Sequence, residues 1–243
     1  VLKIDLHVHT DCSPDSMAGA RRVLDAARSR GLSAIAVTDH DTAEGGLKVA
    51  AARRDGDPAV IPGVELTVPM GRYGLHIIGL FVTKAGKPEF YGDAVRQIRE
   101  QKGVVMLPHL FREGTGLMYH LKEGNISRGG AEWLLAAADY VEGLNYKSSP
   151  GEMLSGLEFL RGNPKPVVAG TDAHVPAEIG LAWTEVEDLV EFKRGTARTA
   201  ACMMLRGPAP VEPRGRKARR AESWFSDLMI GCANGRSGSA EAG

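Results

Sequence analysis

His7 and His9 stand one residue apart in the run Lys3–His9, whose aliphatic composition reads as a β-strand. Side chains alternate along a strand, so both imidazoles project to one face and offer two nitrogens to a metal ion. The same parity joins Asp172 and His174 at the end of the run Val167–Asp172. Asp39 and His40 are adjacent and point to opposite faces, which selects His40 for the cluster and leaves Asp39 as its supporting partner. Glu65 interrupts Pro62-Gly63-Val64-Glu65-Leu66, a flank where an apolar residue is the ordinary choice. Taken singly, these residues read equally well as solvated strand ends, and His76 and His109 as hydrogen-bonded core histidines. Their joint placement favours another reading. Six of the seven histidines, all but His120, lie on or at the end of an expected strand. Imidazole and carboxylate without thiolate suit a catalytic Zn, Mn, Fe or Co site rather than a structural zinc site.

Asp15, near the loop after the first strand, joins His7, His9, His40, Glu65, His76, His109, Asp172 and His174 as a candidate ligand. Nine ligands exceed the needs of one ion. Two or three divalent ions, two of them bridged by Glu65, would generate hydroxide at neutral pH and clamp two oxygens of a phosphoryl group.

The elements that must position these groups alternate in type. Expected strands are Lys3–His9, Ala34–Thr38, Ala59–Leu66, Leu75–Phe81, Val104–His109, Tyr140–Asn145 and Val167–Asp172, with amphipathic segments between them. This is the rhythm of a seven-stranded parallel β/α barrel, whose chemistry gathers at the C-terminal strand ends. Helices are expected from a Ser16 cap to Ser29, from Pro88 to Lys102 with Phe90, Ala94, Val95 and Ile98 as its apolar stripe, and over Ala131–Asp139, nearly all apolar through Trp133, Leu134 and Leu135 and packed on the barrel wall. The polar, Gly-rich stretch Leu110–Gly130 is expected as a substrate-recognition loop. The barrel should occupy residues 1–205. Residues 206–243 read as a basic, Pro/Gly-rich tail with a short helix at Ala221–Ile230 and disorder from 233 onward.

Thirty Lys and Arg balance thirty Asp and Glu, which argues against a general polyanion-binding surface. The three cysteines, Cys12, Cys202 and Cys232, form no C-x-x-C pair, so a reducing, cytoplasmic setting is expected. No apolar run approaches the roughly 18 residues of a membrane span, and the N-terminus lacks the regions of a signal peptide. No membrane and no obligate protein partner are expected.

The order Asp5-Leu6-His7-Val8-His9-Thr10, Thr38-Asp39-His40, Gly63-Val64-Glu65, His76, His109 and Gly170-Thr171-Asp172-Ala173-His174 resembles the PHP (polymerase and histidinol phosphatase) family across residues 3–205. The segment Val175–Glu187 resembles the C-terminal stretch of small stand-alone members. The resemblance implies a distorted (β/α)7 TIM-like barrel, a trinuclear centre of Mn, Fe or Zn, and phosphoester hydrolysis. Carried over residue by residue, it implies that His7, His9, Glu65 and Asp172 hold one ion, Glu65, His76 and His109 a second, and Asp15, His40 and His174 a third. Asp11 competes with Asp15, because the family commonly places this ligand nearer the H-x-H and here Pro14 intervenes. Many relatives have Pro after the histidine at His109, whereas here Pro108 precedes it. On this reading His7, His9, Glu65, Asp172 and His174 are catalytic, and Arg112 contacts the phosphate of a nucleotide, a short RNA end or a small monoester such as histidinol phosphate. A metal-dependent amidohydrolase is the alternative; its bridging modified lysine has no obvious counterpart, Lys84 lying several residues past His76.

Overall fold

The computed structural model describes residues 1–162 and 165–204, so the expected tail helix and the disorder beyond it lie outside the described residues. The barrel begins with β1 (Leu2–Val8), α1 (Ala20–Ser29), β2 (Ala34–Val37), α2 (Glu44–Ala51) and β3 (Ala59–Val68). It continues through β4 (Leu75–Leu80), α3 (Tyr91–Glu100), β5 (Val104–Leu107), α4 (Leu117–Lys122), α5 (Arg128–Ala137) and β6 (Tyr140–Asn145). It ends with α6 (Pro150–Arg161), β7 (Val167–Gly170), β8 (Ala182–Val186), α7 (Leu189–Lys193) and β9 (Thr199–Met203). Among the described residues, no helix is long and apolar enough to cross a membrane.

The sheet has nine strands in the order β7-β6-β5-β4-β3-β2-β1-β8-β9, two more than expected. It nearly closes, because Val8 bridges Ala173 and the His9 amide donates to the Ala173 carbonyl at 2.9 Å. The expectation of a wholly parallel barrel fails at two places. β4 is antiparallel to both β3 and β5, since residues 69–74 are too few for a crossover and return the chain as a hairpin. β8 runs antiparallel to β1 and β9, and the Thr184 hydroxyl donates to Ala169 O at 2.9 Å while accepting from Ala169 N at 2.8 Å.

Three apolar clusters hold these layers. Ile4, Leu6, Ala36, Ile78, Met106 and Val168 come from strands all round the sheet and fill the barrel interior. Val64, Leu66, Val105 and Val141 pack outward on Ile98 of α3 and Leu134 of α5. Val8, Ile35 and Val37 pack on Val23, Leu24 and Ala27 of α1, the inner face expected for that helix. Its start differs: Gly19, with no side-chain cap, precedes Ala20, because the Ser16 hydroxyl is drawn into hydrogen bonds with the carbonyls of His9 and His174. Phe90 precedes α3 and is 53% exposed, stacking on Tyr91, and Trp133 is 45% exposed on the outer side of α5. Phe90 thus stands outside the stripe expected of it, whereas α5 packs on the barrel wall as expected through Ala131 and Leu134 rather than Trp133. The expected recognition loop Leu110–Gly130 also contains α4 and the first turn of α5, which Ser127 caps.

Arg21 of α1 forks onto Asp57 at 2.7 and 2.8 Å, joining that helix to the turn before β3. The Arg21 hydrogen bonds hold the Asp57 carboxyl well below its ordinary 3.8 against the opposing effect of burial. A depressed folded-state pKa contributes stability that is fully present above the unfolded value of about 3.9 and is lost as pH falls below it. Asp57→Asn should therefore lower the Tm at pH 7, and the gap to wild type should narrow in melts run below about pH 4.

Candidate metal centre

The first two expected ligands meet as the strand parity requires. His7 Nε2 and His9 Nε2 lie 3.1 Å apart, both fully buried. Glu65 Oε2 is 3.3 Å from each, and Asp172 Oδ1 is 3.4 Å from the first and 3.2 Å from the second. Asp172 arrives there because β7 continues past Gly170 along β1, its amide donating to His7 O at 2.7 Å. Its φ of 56° and the 28° of His109 are left-handed, a costly conformation for non-glycine residues that clusters at functional sites.

Glu65 does not end its strand; β3 runs three residues further, to Val68. The extension of β2 clamps it: Glu65 N donates to Asp39 O at 3.0 Å and Asp41 N to Glu65 O at 2.9 Å. Its Oε2 faces His40 Nδ1 at 3.4 Å, while Oε1 meets His76 Nδ1 at 2.8 Å and His109 Nε2 at 3.2 Å. His76 reaches the mouth only because β4 is antiparallel, which puts the start of that strand beside the ends of its neighbours. The same reversal carries Lys84 past the opposite end of β4, away from any bridging position.

Asp15 Oδ2 lies 3.0 Å from His174 Nε2 and 3.4 Å from His40 Nε2, and His9 stacks on His174 with ring centroids 4.3 Å apart. Three groups of donor atoms therefore converge: His7, His9, Glu65 and Asp172; His9, Asp15, His40 and His174; and His40, Glu65 and His76. Asp11 is in none of them. Two details differ from the expected partition: His9 faces two groups, and His40 stands with Glu65 and His76 where His109 was expected. His109 touches Glu65 from the side, and its own Nδ1 is buried without a partner.

The donor set fits a cation. Four ligands at about 2.0–2.1 Å around an ion are separated by roughly 3.3–3.4 Å along tetrahedral edges, close to the separations within the first group. The second nitrogens support this fit. His7 Nδ1 faces Glu142 Oε1 at 3.2 Å, His9 Nδ1 faces the Ser13 hydroxyl at 3.1 Å, and His174 Nδ1 donates to Asp172 O at 2.8 Å. The Ser13 hydroxyl spends its proton on Asp39 Oδ1 at 2.7 Å, so it must accept from His9. Each ring thus keeps its proton on Nδ1 and turns the Nε2 lone pair into the cluster. Asp39, expected as the partner of His40, instead holds Ser13 behind His9.

Electrostatics agree. Burial opposes protonation of His7 and His9, but facing carboxylates outweigh it; His9, bonded to Asp172 and Glu65, is pushed up to about 9. Burial would raise Glu65 and Asp172, yet the surrounding imidazoles hold both well below the ordinary carboxylate range. A pocket that binds protons this firmly is equally a well for divalent cations, which compete for the same lone pairs.

Besides Ser13, two further supporting residues were not foreseen. Glu142 is buried in β6 and accepts from His7, from the His109 amide at 3.0 Å and from Asn145 Nδ2 at 2.8 Å. Its signal was a lone charge in Tyr140-Val141-Glu142-Gly143-Leu144-Asn145. Asp5, fully buried and pushed up to about 6 by desolvation, accepts from Thr171 N and Oγ1 and from Gly180 N, anchoring the strand end that carries Asp172. Arg112 forks onto Asp172 Oδ2 and Asn145 Oδ1, which puts the guanidinium at the edge of the first group.

A nearly closed α/β barrel whose mouth gathers imidazoles and carboxylates in three metal-sized groups defines a candidate multinuclear metal protein. The sequence matches the PHP domain over residues 5–143 and the PHP-associated region over residues 155–193, and the chain belongs to the PHP domain family. An uncharacterized protein of Methanocaldococcus jannaschii is 32% identical over 122 residues, covering 44% of this chain and 67% of that one. A 3′,5′-nucleoside bisphosphate phosphatase of Chromobacterium violaceum is 43% identical over 84 residues, covering 34% of this chain and only 28% of that one. In fold, the chain is similar to a two-domain protein of Bacteroides vulgatus containing a predicted PHP-like metal-dependent phosphoesterase. The TM-score is 0.67 at 18% identity, over 84% of this chain and 65% of that one.

Proposed function

We propose that this protein is a metal-dependent phosphoesterase acting on a small phosphate ester, a nucleotide or an oligonucleotide end. The observation that carries the reading is the convergence of the buried His7 Nε2, His9 Nε2, Glu65 Oε2 and Asp172 Oδ1 at 3.1–3.4 Å at the strand ends. Membership of the PHP family and the phosphatase named among its relatives support it. His7, His9, Glu65 and Asp172 would hold one divalent ion, Asp15, His40 and His174 another, and Glu65 with His76 a third, His109 standing beside Glu65 Oε1; Mn, Fe and Zn suit these donors. Such ions, when bound, supply Lewis acidity toward phosphoryl oxygens and a nucleophile from water at neutral pH.

The chain's own groups do the rest. Arg112 presents a fork at the pocket edge, suited to two phosphate oxygens once it yields part of its hold on Asn145. The three cysteines form no C-x-x-C pair, which suits a reducing, cytoplasmic setting.

The test is phosphate release from nucleoside mono- and bisphosphates, short RNA and histidinol phosphate, using chelator-treated protein reloaded with Mn2+. Release from at least one small ester is expected. A reloaded chain that leaves every ester intact would sink the proposal.

A further inference from the structure

His120, the one histidine outside the cluster, is fully buried in α4. Its Nε2–H donates to Gly74 O at 3.1 Å, and its Nδ1 accepts from Asn125 Nδ2 at 3.2 Å. Both ring nitrogens are therefore spent on backbone or amide partners, and the ring serves as a two-ended tie. One end lies on the β3–β4 hairpin. Gly74 is two residues before His76, and the hairpin presses so close to Asn125 that a Cβ at Gly71 would fall 2.6 Å from its Nδ2. The His76 amide itself donates to Thr115 O at 3.1 Å, in the loop that leads into α4.

The other end holds Asn125, and the main chain of α4 leads separately to His109. His120 N donates to Gly116 O at 3.2 Å, Gly116 N to Arg112 O at 2.9 Å, and Arg112 N to His109 O at 2.8 Å. Gly116 sits so tightly under this turn that a Cβ there would meet His109 O at 2.7 Å. Thus α4 is bonded to both segments that carry the imidazoles facing Glu65 Oε1. From this geometry we infer that His120 is a positioning residue that sets the spacing of His76 and His109 across Glu65, and so the fit of one ion in the centre. This rests on the metal-centre reading proposed above.

A structural residue that merely packed would affect stability without choosing among ions. The test is therefore a Mn2+ binding isotherm on the full chain, with free Mn2+ followed by electron paramagnetic resonance. In His120→Leu, which fills the space without donating, one ion should bind about 10-fold more weakly while the others bind as in wild type. His120→Gln, whose amide can still donate toward Gly74 O, should restore most of the loss. Asn125→Ala, an exposed and milder change, should weaken the same ion to a smaller extent, which keeps the test open if His120→Leu folds poorly. A wild-type isotherm in His120→Leu, or equal weakening of every ion in all three variants, would overturn the inference alone. A wild-type chain that binds no Mn2+ would remove the metal-centre reading together with it.

Discussion

Replacing Glu65 by alanine should cost more than about 100-fold in metal affinity and reduce phosphate release by at least as much. Loss of an outer-sphere partner typically costs about 10–100-fold, and Glu65 is an inner member of two donor groups at once. Its two oxygens face His7, His9 and His40 on one side and His76 and His109 on the other. No neighbouring carboxylate can replace it, because Asp172 lies across His7 and His9 and Asp15 beyond His40. The check is metal content and turnover on the same purified variant. Retention of all ions by Glu65→Ala would show that the carboxylate is only a salt-bridge partner for the imidazoles.

Glu142→Gln should weaken metal binding by about 10–100-fold without removing any ligand. Glu142 stands behind His7, accepting its Nδ1 proton and leaving Nε2 free for the pocket. The same carboxylate receives the His109 amide and the Asn145 amide nitrogen, so three donors converge on it. A glutamine must turn its own NH2 toward at least one of those donors. Leaving a buried donor unmet costs about 1–3 kcal/mol, so the Tm should fall as well. A metal titration and a thermal melt check the two effects, and unchanged affinity would place Glu142 outside the support of the centre.

Much of the site was legible because β-strands impose a period of two. That rule brought His7 with His9 and separated His40 from Asp39. Asp172 and His174 lie past β7, which ends at Gly170, and the left-handed φ of Asp172 sends them to different donor groups, so alternation does not explain their placement. Glu65 was legible as a charge in an apolar run. His76 was legible only as part of a set: nothing in Leu75–Leu80 announces that this strand runs backwards, and a parallel β4 would have carried His76 to the far end of the barrel. The reversal follows from the length of the 69–74 link, a tertiary constraint that hydrophobic periodicity does not register. The extra strands β8 and β9 were missed for a related reason, since Ala182–Val186 and Thr199–Met203 are short and take their pairing from the barrel edge.

The supporting residues were the least visible. Ser16 carries a helix-cap signature yet bonds to the carbonyls of His9 and His174, because a buried loop offers it stronger partners than an exposed helix end does. Ser13 shows nothing that distinguishes it from an ordinary loop residue, and the lone charge of Glu142 in its apolar strand names no partner; their roles exist only once His9 and His7 are in place. His120 looked unassigned because its partners, Gly74 and Asn125, are a backbone carbonyl and a neighbouring amide.

The central claim, a multinuclear metal centre that hydrolyses phosphate esters, is tested most directly by metal analysis of protein purified without chelator. Two to three Mn, Fe or Zn ions per chain are expected, with phosphate release that disappears on chelation and returns with Mn2+. A chain that emerges metal-free, takes up no Mn2+ and stays inert would contradict the account.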